Sequence, residues 1–417
     1  MRRTNSVALL LFLFLLSGVS AEEYPGGTLP VRPTWLEERT APAGLSAESA
    51  VLLDFETGSL LYEKNPDTLI PPASLTKLMT VHLALRAADE GDFPLHERVP
   101  VPEVAWASNQ APGSSLMFLG PGQLVSGEEL LYGLAVSSGN DAAVAVATLV
   151  FGGVARFVEE MNREAARLGY RSFRFHEPAG LSPNNSATAR ELADFAAYLL
   201  EKHPRILDYF SVPSFTYPKP ENFVNGHRER SITQWNRNTL LQSYPGADGF
   251  KTGFIEASEY NLIATAERED RRLLAVLLGV PGETHAEGGA RRAREASLLH
   301  DYGYEAFELM EPGSPRLEPT RVYGGVAEEV ALIVERADPI LLPAGASDEL
   351  TGSYETAPYL RAPVAAGEVV GRAEYSFRGE VILSRRILAR HEVGRDRLLG
   401  RLYDELLLLT SPLLQAP

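Results

Sequence analysis

Ser74-Leu75-Thr76-Lys77, Ser138-Gly139-Asn140 and Lys251-Thr252-Gly253 stand in that order along a chain of 417 residues. Three segments tens of residues apart must meet if their side chains are to act together, and few folds allow it. Cleaving an amide through a covalent intermediate needs a nucleophile, a base beside it, and donors for the developing oxyanion. Ser74 and Lys77 are three apart at the start of a helical pattern, so both project from one face. A lysine buried near other cations loses proton affinity and becomes a general base near neutral pH. A helix N-terminus adds free N–H groups and partial positive charge beside the serine. Ser138 can relay a proton toward a leaving nitrogen, and Asn140 offers an acceptor and two donors to a peptide amide. Lys251 and Thr252 on a strand supply a charge and a hydroxyl to an anionic group, while Gly253 permits close backbone approach. Each triplet alone has a plainer reading: Ser74 as a helix N-cap, Ser-Gly-Asn as a turn, Lys-Thr-Gly as a strand entering a turn. Their joint occurrence favours the catalytic one.

The first 21 residues read as a secretory signal. Arg2 and Arg3 form a basic start, Val7 to Leu16 is an apolar run of ten, and Ser17 to Ala21 ends in a small-x-small pattern before Glu22. That run is about half of the ~20 residues a bilayer crossing needs. The chain has no cysteine, which excludes a disulfide framework and a lipid-anchored N-terminal Cys. Its formal charge of −16 becomes −18 once the two arginines leave with the signal. So acidic a surface argues against nucleic acid as a partner. The eight histidines show no H-E-x-x-H spacing, so no metal is expected, nor any cofactor. No oligomeric state is implied.

The pattern predicts an α+β domain followed by a small all-β domain. Hairpin strands at 50–54 and 59–63 precede a helix from about Ser74 to Ala88. Helical stretches at 127–136 and 141–149 flank Ser138-Gly139-Asn140, where glycine suits a sharp turn. Helices follow at 158–168 and 188–200, then strands at 250–252, 261–266 and 272–279, then a closing helix at 287–304. The expected division is signal 1–21, lead 22–40, catalytic domain 41–308, linker 309–321, small β domain 322–395 and amphipathic tail 396–417.

The three motifs resemble the S-x-x-K, S-D-N and K-T-G set of penicillin-binding proteins and class A β-lactamases, with Gly139 in place of Asp. The resemblance is closest to the D-alanyl-D-alanine carboxypeptidases, the low-molecular-mass penicillin-binding proteins. It extends to Leu53-Asp54-Phe55-Glu56-Thr57-Gly58, Asn236-Arg237-Asn238, Asp248-Gly249-Phe250 and Tyr260-Asn261-Leu262, over roughly residues 45 to 305. Gly367-Glu368-Val369-Val370-Gly371 resembles the small β domain that follows in many members.

The resemblance implies a penicillin-binding, serine β-lactamase-like fold with an antiparallel sheet flanked by helices. It implies export to the periplasm or outer face of the cytoplasmic membrane, stem peptides of peptidoglycan as substrate, and β-lactams as covalent inhibitors. By the same resemblance Ser74 is the nucleophile, Lys77 its base and Ser138 the proton relay. Asn140 holds the substrate amide, and Lys251, Thr252 and Gly253 form the carboxylate-binding strand. The backbone N–H groups of Ser74 and Phe254 make the oxyanion hole. Arg292, eleven residues before Gly303, resembles the arginine that approaches the substrate carboxylate, and Arg237 a further basic residue of the cleft. Three departures stand out: Phe254 where some members have His or Thr, Glu259 for a small residue before Tyr260, and Glu177 where Asn commonly precedes Pro178.

A D,D-endopeptidase of peptidoglycan cross-links and a β-lactamase are the alternatives, with a non-catalytic wall-binding protein further off. Class A β-lactamase chains usually lack a second β domain such as the one expected here. In the tail, Leu398, Leu399, Leu402, Tyr403, Leu406 and Leu409 fall on one helical face. Arg397, Arg401, Asp404 and Glu405 fall mostly on the other, so membrane-surface contact is expected, with packing on the β domain as the competing outcome.

Overall fold

The computed structural model describes residues 40–224, 230–336 and 339–410. The expected signal and all but the last residue of the expected lead lie outside them. The chain enters through strands β1 (Ser49–Asp54) and β2 (Leu60–Lys64), then helix α1 (Lys77–Asp89). Short strands β3 (Val99–Pro100) and β4 (Leu124–Val125) pair before α2 (Gly127–Tyr132), α3 (Asn140–Phe151), α4 (Val154–Arg167), α5 (Ala189–Lys202) and α6 (Ile206–Phe210). A hairpin of β5 (Ser214–Tyr217) and β6 (Ile232–Trp235) leads through α7 (Leu240–Ser243) into three long strands. These are β7 (Ala247–Ile255), β8 (Glu259–Arg268) and β9 (Arg271–Val280), and α8 (His285–Ala306) closes the unit.

The main sheet is antiparallel throughout, in the order β2-β1-β9-β8-β7. Its long apolar runs are buried on both faces, as a central strand covered by two layers requires. The side-chain period of two divides β9 between them. Leu274, Val276 and Leu278 join the core under α1, α3 and α5, whereas Leu273, Ala275 and Leu277 join the core under α8. The site-bearing helix α1 is clamped from behind by buried polar contacts. His82 Nε2 lies 2.8 Å from Glu164 Oε1 on α4, and its Nδ1 lies 3.0 Å from His203 Nε2 at the end of α5. Burial holds both imidazoles below their ordinary pKa, His203 at about 4.

The domain that follows is all β. β10 (Phe307–Met310) pairs with β14 (Ile340–Pro343), which follows β11 (Thr320–Tyr323), β12 (Glu329–Val330) and β13 (Leu332–Val334). Residues 309 and 310, expected in a linker, are therefore paired strand, because Leu341 and Leu342 of β14 extend the core under α8. β15 (Leu350–Thr356), β16 (Leu360–Arg361), β17 (Val369–Phe377) and β18 (Glu380–Ala389) complete the domain, with sheet orders β13-β18-β17-β15 and β12-β11-β16. Last comes α9 (Leu398–Thr410), anchored where Gly324 N donates to Asp404 Oδ2 at 2.7 Å. Its Leu398, Leu399, Leu402, Tyr403 and Leu406 are 59–81% exposed, so packing on the β domain leaves this apolar face uncovered.

Candidate active site

Ser74 does not cap α1. It lies in a 3-10 turn (Ala73–Thr76) one turn ahead, and Lys77 is the first residue of the α-helix. Ala73 has φ +51, a left-handed conformation that costs a residue with a Cβ about 1–3 kcal/mol. The turn is held against β7 and the 176–185 loop. A Cβ on Gly253 would sit 3.2 Å from Ser74 N and 3.0 Å from the Pro72 carbonyl, so a side chain here would press β7 a few tenths of an ångström off the turn. Gly180, at φ +88, passes over the same turn, where a Cβ would fall 1.8 Å from the Ala73 carbonyl oxygen.

Lys77 is fully buried, with its amine between three partners. Nζ lies 3.1 Å from Ser74 Oγ, 2.8 Å from Asn140 Oδ1 and 2.6 Å from the Ala179 carbonyl oxygen. The last two can only accept, whereas the serine hydroxyl can also donate. A neutral amine therefore spends both hydrogens on Asn140 and Ala179 and turns its lone pair to the Ser74 O–H. Burial, opposed by Glu177 and Asp141 and helped by Arg237, leaves Lys77 lowered to about 7.

The second motif connects helices as expected, but by a different device. Ser138, not Gly139, takes the left-handed conformation (φ 56, ψ 37), while Gly139 has φ −58. Gly139 is needed for space, since a Cβ would stand 2.7 Å from Asp141 Oδ1 and 3.0 Å from Met117 N. Asp141 accepts from the backbone N–H groups of Met117, Phe118 and Leu119 at 2.8–3.0 Å, and Asn140 N donates to the Ser115 carbonyl at 2.8 Å. The 115–119 loop is thus bound to the motif, a role for Asp141 that the triplets do not reveal. Its only sequence signal is a carboxylate in the first turn of α3.

Lys251 Nζ donates to Ser138 Oγ and to the Thr252 carbonyl, both at 2.9 Å. Burial lowers this lysine far below its ordinary pKa, and Lys77, Arg237 and Arg292 press it further. Arg292 is buried beneath β7, where Nη1 donates to the carbonyls of Gly253 (3.2 Å) and Asn261 (3.4 Å) and Nη2 to that of Arg237 (3.4 Å). Burial and the Arg237 charge lower it to about 10. Arg237 itself is exposed, and its segment is pinned by Asn238 Nδ2 donating to the Gly249 carbonyl at 2.9 Å. Among the described residues, none of these four cations forms an ion pair with a carboxylate. Basic groups without ion-paired carboxylates thus gather at this site of an acidic protein.

Phe254 follows Gly253 on β7 and packs on Tyr260 (ring centroids 4.5 Å) and edge-on to His285 (4.7 Å). Glu259 has φ +51, a left-handed backbone that disfavours a residue with a side chain. Hydrogen bonds thus join Ser74, Lys77 and Asn140, and Lys251 with Ser138; Thr252, Gly253 and Phe254 follow on β7, Arg292 lies below that strand, and Arg237 is exposed with its carbonyl held by Arg292. The sequence reading missed the Ala179 carbonyl, which no side-chain pattern can disclose.

Residues 37–282 match the family model for D-alanyl-D-alanine carboxypeptidase, and residues 304–395 that for the C-terminal domain of penicillin-binding protein 5. The chain is 33% identical to the D-alanyl-D-alanine carboxypeptidase DacA of Haemophilus influenzae, over 99% of each. It superposes on the crystal structure of penicillin-binding protein 5 from Haemophilus influenzae with a TM-score of 0.70 at 33% identity, covering 86% of this chain and 100% of that one. It also resembles penicillin-binding protein D2 of Listeria monocytogenes in its cefotaxime-bound form, with a TM-score of 0.54 at 28% identity, over 64% of this chain and 100% of that one.

Proposed function

Since the chain belongs to the D-alanyl-D-alanine carboxypeptidase family, we propose that it removes the terminal D-Ala of peptidoglycan stem peptides through an acyl-enzyme on Ser74. The observation that carries this is the lone-pair geometry of Lys77, with Ser74 Oγ at 3.1 Å and two obligate acceptors on its other sides. Lys77 takes the Ser74 proton as Oγ attacks the penultimate D-Ala carbonyl. The backbone N–H groups of Ser74 and Phe254 receive the oxyanion. The C–N bond then breaks as the Ser138 hydroxyl gives its proton to the departing D-Ala amine and takes one from Lys251 Nζ. Water hydrolyses the ester and returns a proton to Lys251 by the same relay, and Lys77 returns its own to Ser74 Oγ. β-Lactams acylate the same oxygen. Incubating purified protein with a D-Ala-D-Ala-terminated pentapeptide tests the reading, and absence of D-Ala release would reject it.

The β-lactamase alternative needs a carboxylate free to activate water. Glu177 is the carboxylate whose charge acts most strongly on Lys77, and its two oxygens are engaged by three backbone N–H groups and Asn185. Slow deacylation of penicillin follows.

Carboxylate recognition makes the enzyme an exopeptidase. Lys251, Thr252 and the Arg292 charge converge where a free terminus ends, and a cross-link offers an amide there. A charge-assisted hydrogen bond contributes about 1.5–3 kcal/mol, or roughly ten- to a hundredfold in rate if fully felt in the transition state. Amidating the terminal carboxylate is expected to cost that factor. Because Arg292 also braces β7, the informative measure for Arg292→Ala is the acid-to-amide rate ratio, which should fall. Equal turnover of acid and amide by the unaltered enzyme would instead favour the endopeptidase.

Residues 1–21 serve, in this reading, as an export signal, placing the enzyme at the outer face of the cytoplasmic membrane. α9 supplies the contact by its exposed leucines, although its charges roughly cancel and anionic lipid adds little grip. A chain ending at Val393 is expected to leave the membrane fraction. If it sediments with membranes as fully as the intact protein, α9 is not the anchor.

A further inference from the structure

Glu177, first seen as a departure from the family pattern, has more contacts with the 176–185 loop than a substitution at a neutral position requires. Its Oε2 accepts from Ala179 N at 2.8 Å. Its Oε1 accepts from Gly180 N at 2.7 Å, Ser182 N at 3.3 Å and Asn185 Nδ2 at 3.0 Å. Asn185 is fully buried, takes His176 N on its Oδ1 at 2.8 Å, and also reaches Thr76 Oγ1 at 3.2 Å. The Pro178 carbonyl accepts from Thr80 Oγ1 at 2.7 Å. The loop is thereby fastened to α1 on both sides of Lys77, and the Ala179 carbonyl is set 2.6 Å from the Lys77 amine.

We propose that Glu177 is a positioning residue for Lys77: its carboxylate gathers four donors of the 176–185 loop and so sets the Ala179 carbonyl against the Lys77 amine, and its negative charge acts on that amine. The proposal rests on Lys77 being the base for Ser74. Two properties of a carboxylate matter. It has four lone-pair positions for four donors, whereas an amide side chain would turn an NH2 group toward some of them. It is also an anion behind an amine whose other charged neighbours are Asp141 on α3, Arg237 after β6 and Lys251 on β7. Two of those three are cationic. After burial, the Glu177 charge is the largest influence on the affinity of Lys77 for its proton, and it acts upward.

The sign follows directly. A neighbouring anion favours the ammonium form, so removing it frees the amine at lower pH. The acid limb of the acylation rate must then move toward acid, even as the maximal rate falls with the loosened loop. A carboxylate that only braced the loop would lower the rate at every pH and leave the limb in place.

The test is the pH profile of the second-order rate of penicillin acylation, read by intact mass, for the full chain and for Glu177→Gln, Glu177→Asn and Glu177→Asp. The unaltered enzyme should show its acid limb near the Lys77 value of about 7. Both neutral variants should shift it acidward by about half a pH unit or more, with a maximal rate lowered about tenfold. Glu177→Asp should keep the limb and lose only rate. An unshifted limb in a folded neutral variant would overturn the proposal, and so would failure of both neutral variants to fold, since the carboxylate would then be a structural brace. Absence of any adduct with the unaltered enzyme would reject the Ser74 assignment instead, so the two failures are distinguishable.

Discussion

Replacing Ser74 by alanine is expected to abolish the covalent penicillin adduct and to lower D-Ala release by about a thousandfold or more. Intact-mass measurement should show one adduct per chain in the unaltered protein and none in Ser74→Ala. The fold should tolerate the change, because Ser74 does not cap α1 and its hydroxyl contact is with Lys77. An adduct surviving in the variant would move the nucleophile elsewhere, with Ser138 the first candidate.

Lys77→Ala should come close behind, with acylation slowed by several orders of magnitude, because base and nucleophile act as one unit. The same residue sets the pH dependence. Burial has lowered the ammonium to about 7, so the free amine predominates above that pH and the protonated form below it. Acylation should therefore fall about tenfold per unit as the pH drops below that point, and level off above it. The measurement is the acylation rate across the pH range for the unaltered enzyme and, with added primary amines, for Lys77→Ala. A loss smaller than tenfold in the variant would mean that another group takes the proton.

The chemistry-bearing side chains of this cleft were legible because they are side chains. Ser74, Lys77, Ser138, Asn140, Lys251 and Thr252 are short local strings, and their order along the chain already says which must meet. What escaped was conformation and backbone. The pattern put the helix start at Ser74, but Ala73 adopts φ +51 and the α-helix begins at Lys77. Helical periodicity cannot distinguish a 3-10 turn from the first turn of an α-helix. Glycine suggested that Gly139 makes the bend. Instead Ser138 bends, and Gly139 is small because Asp141 and Met117 crowd it. Of the strands, β1, β8 and β9 were plain as apolar runs, and each extends one or two residues beyond its expected bounds where pairing continues.

The strand order β2-β1-β9-β8-β7 has a consequence for how such a chain comes into being. β1, residues 49–54, is held on one side by β2 and on the other by β9, residues 271–280. The turn bearing Ser74 rests on Gly253 of β7. A nascent chain that has grown past Asn140 already carries nucleophile, base and relay, yet none of the strands against which they are set. Pairing across more than two hundred residues closes late and slowly. Shortened translation products ending before Lys251 lack the strand on which the Ser74 turn rests and are expected to form no penicillin adduct.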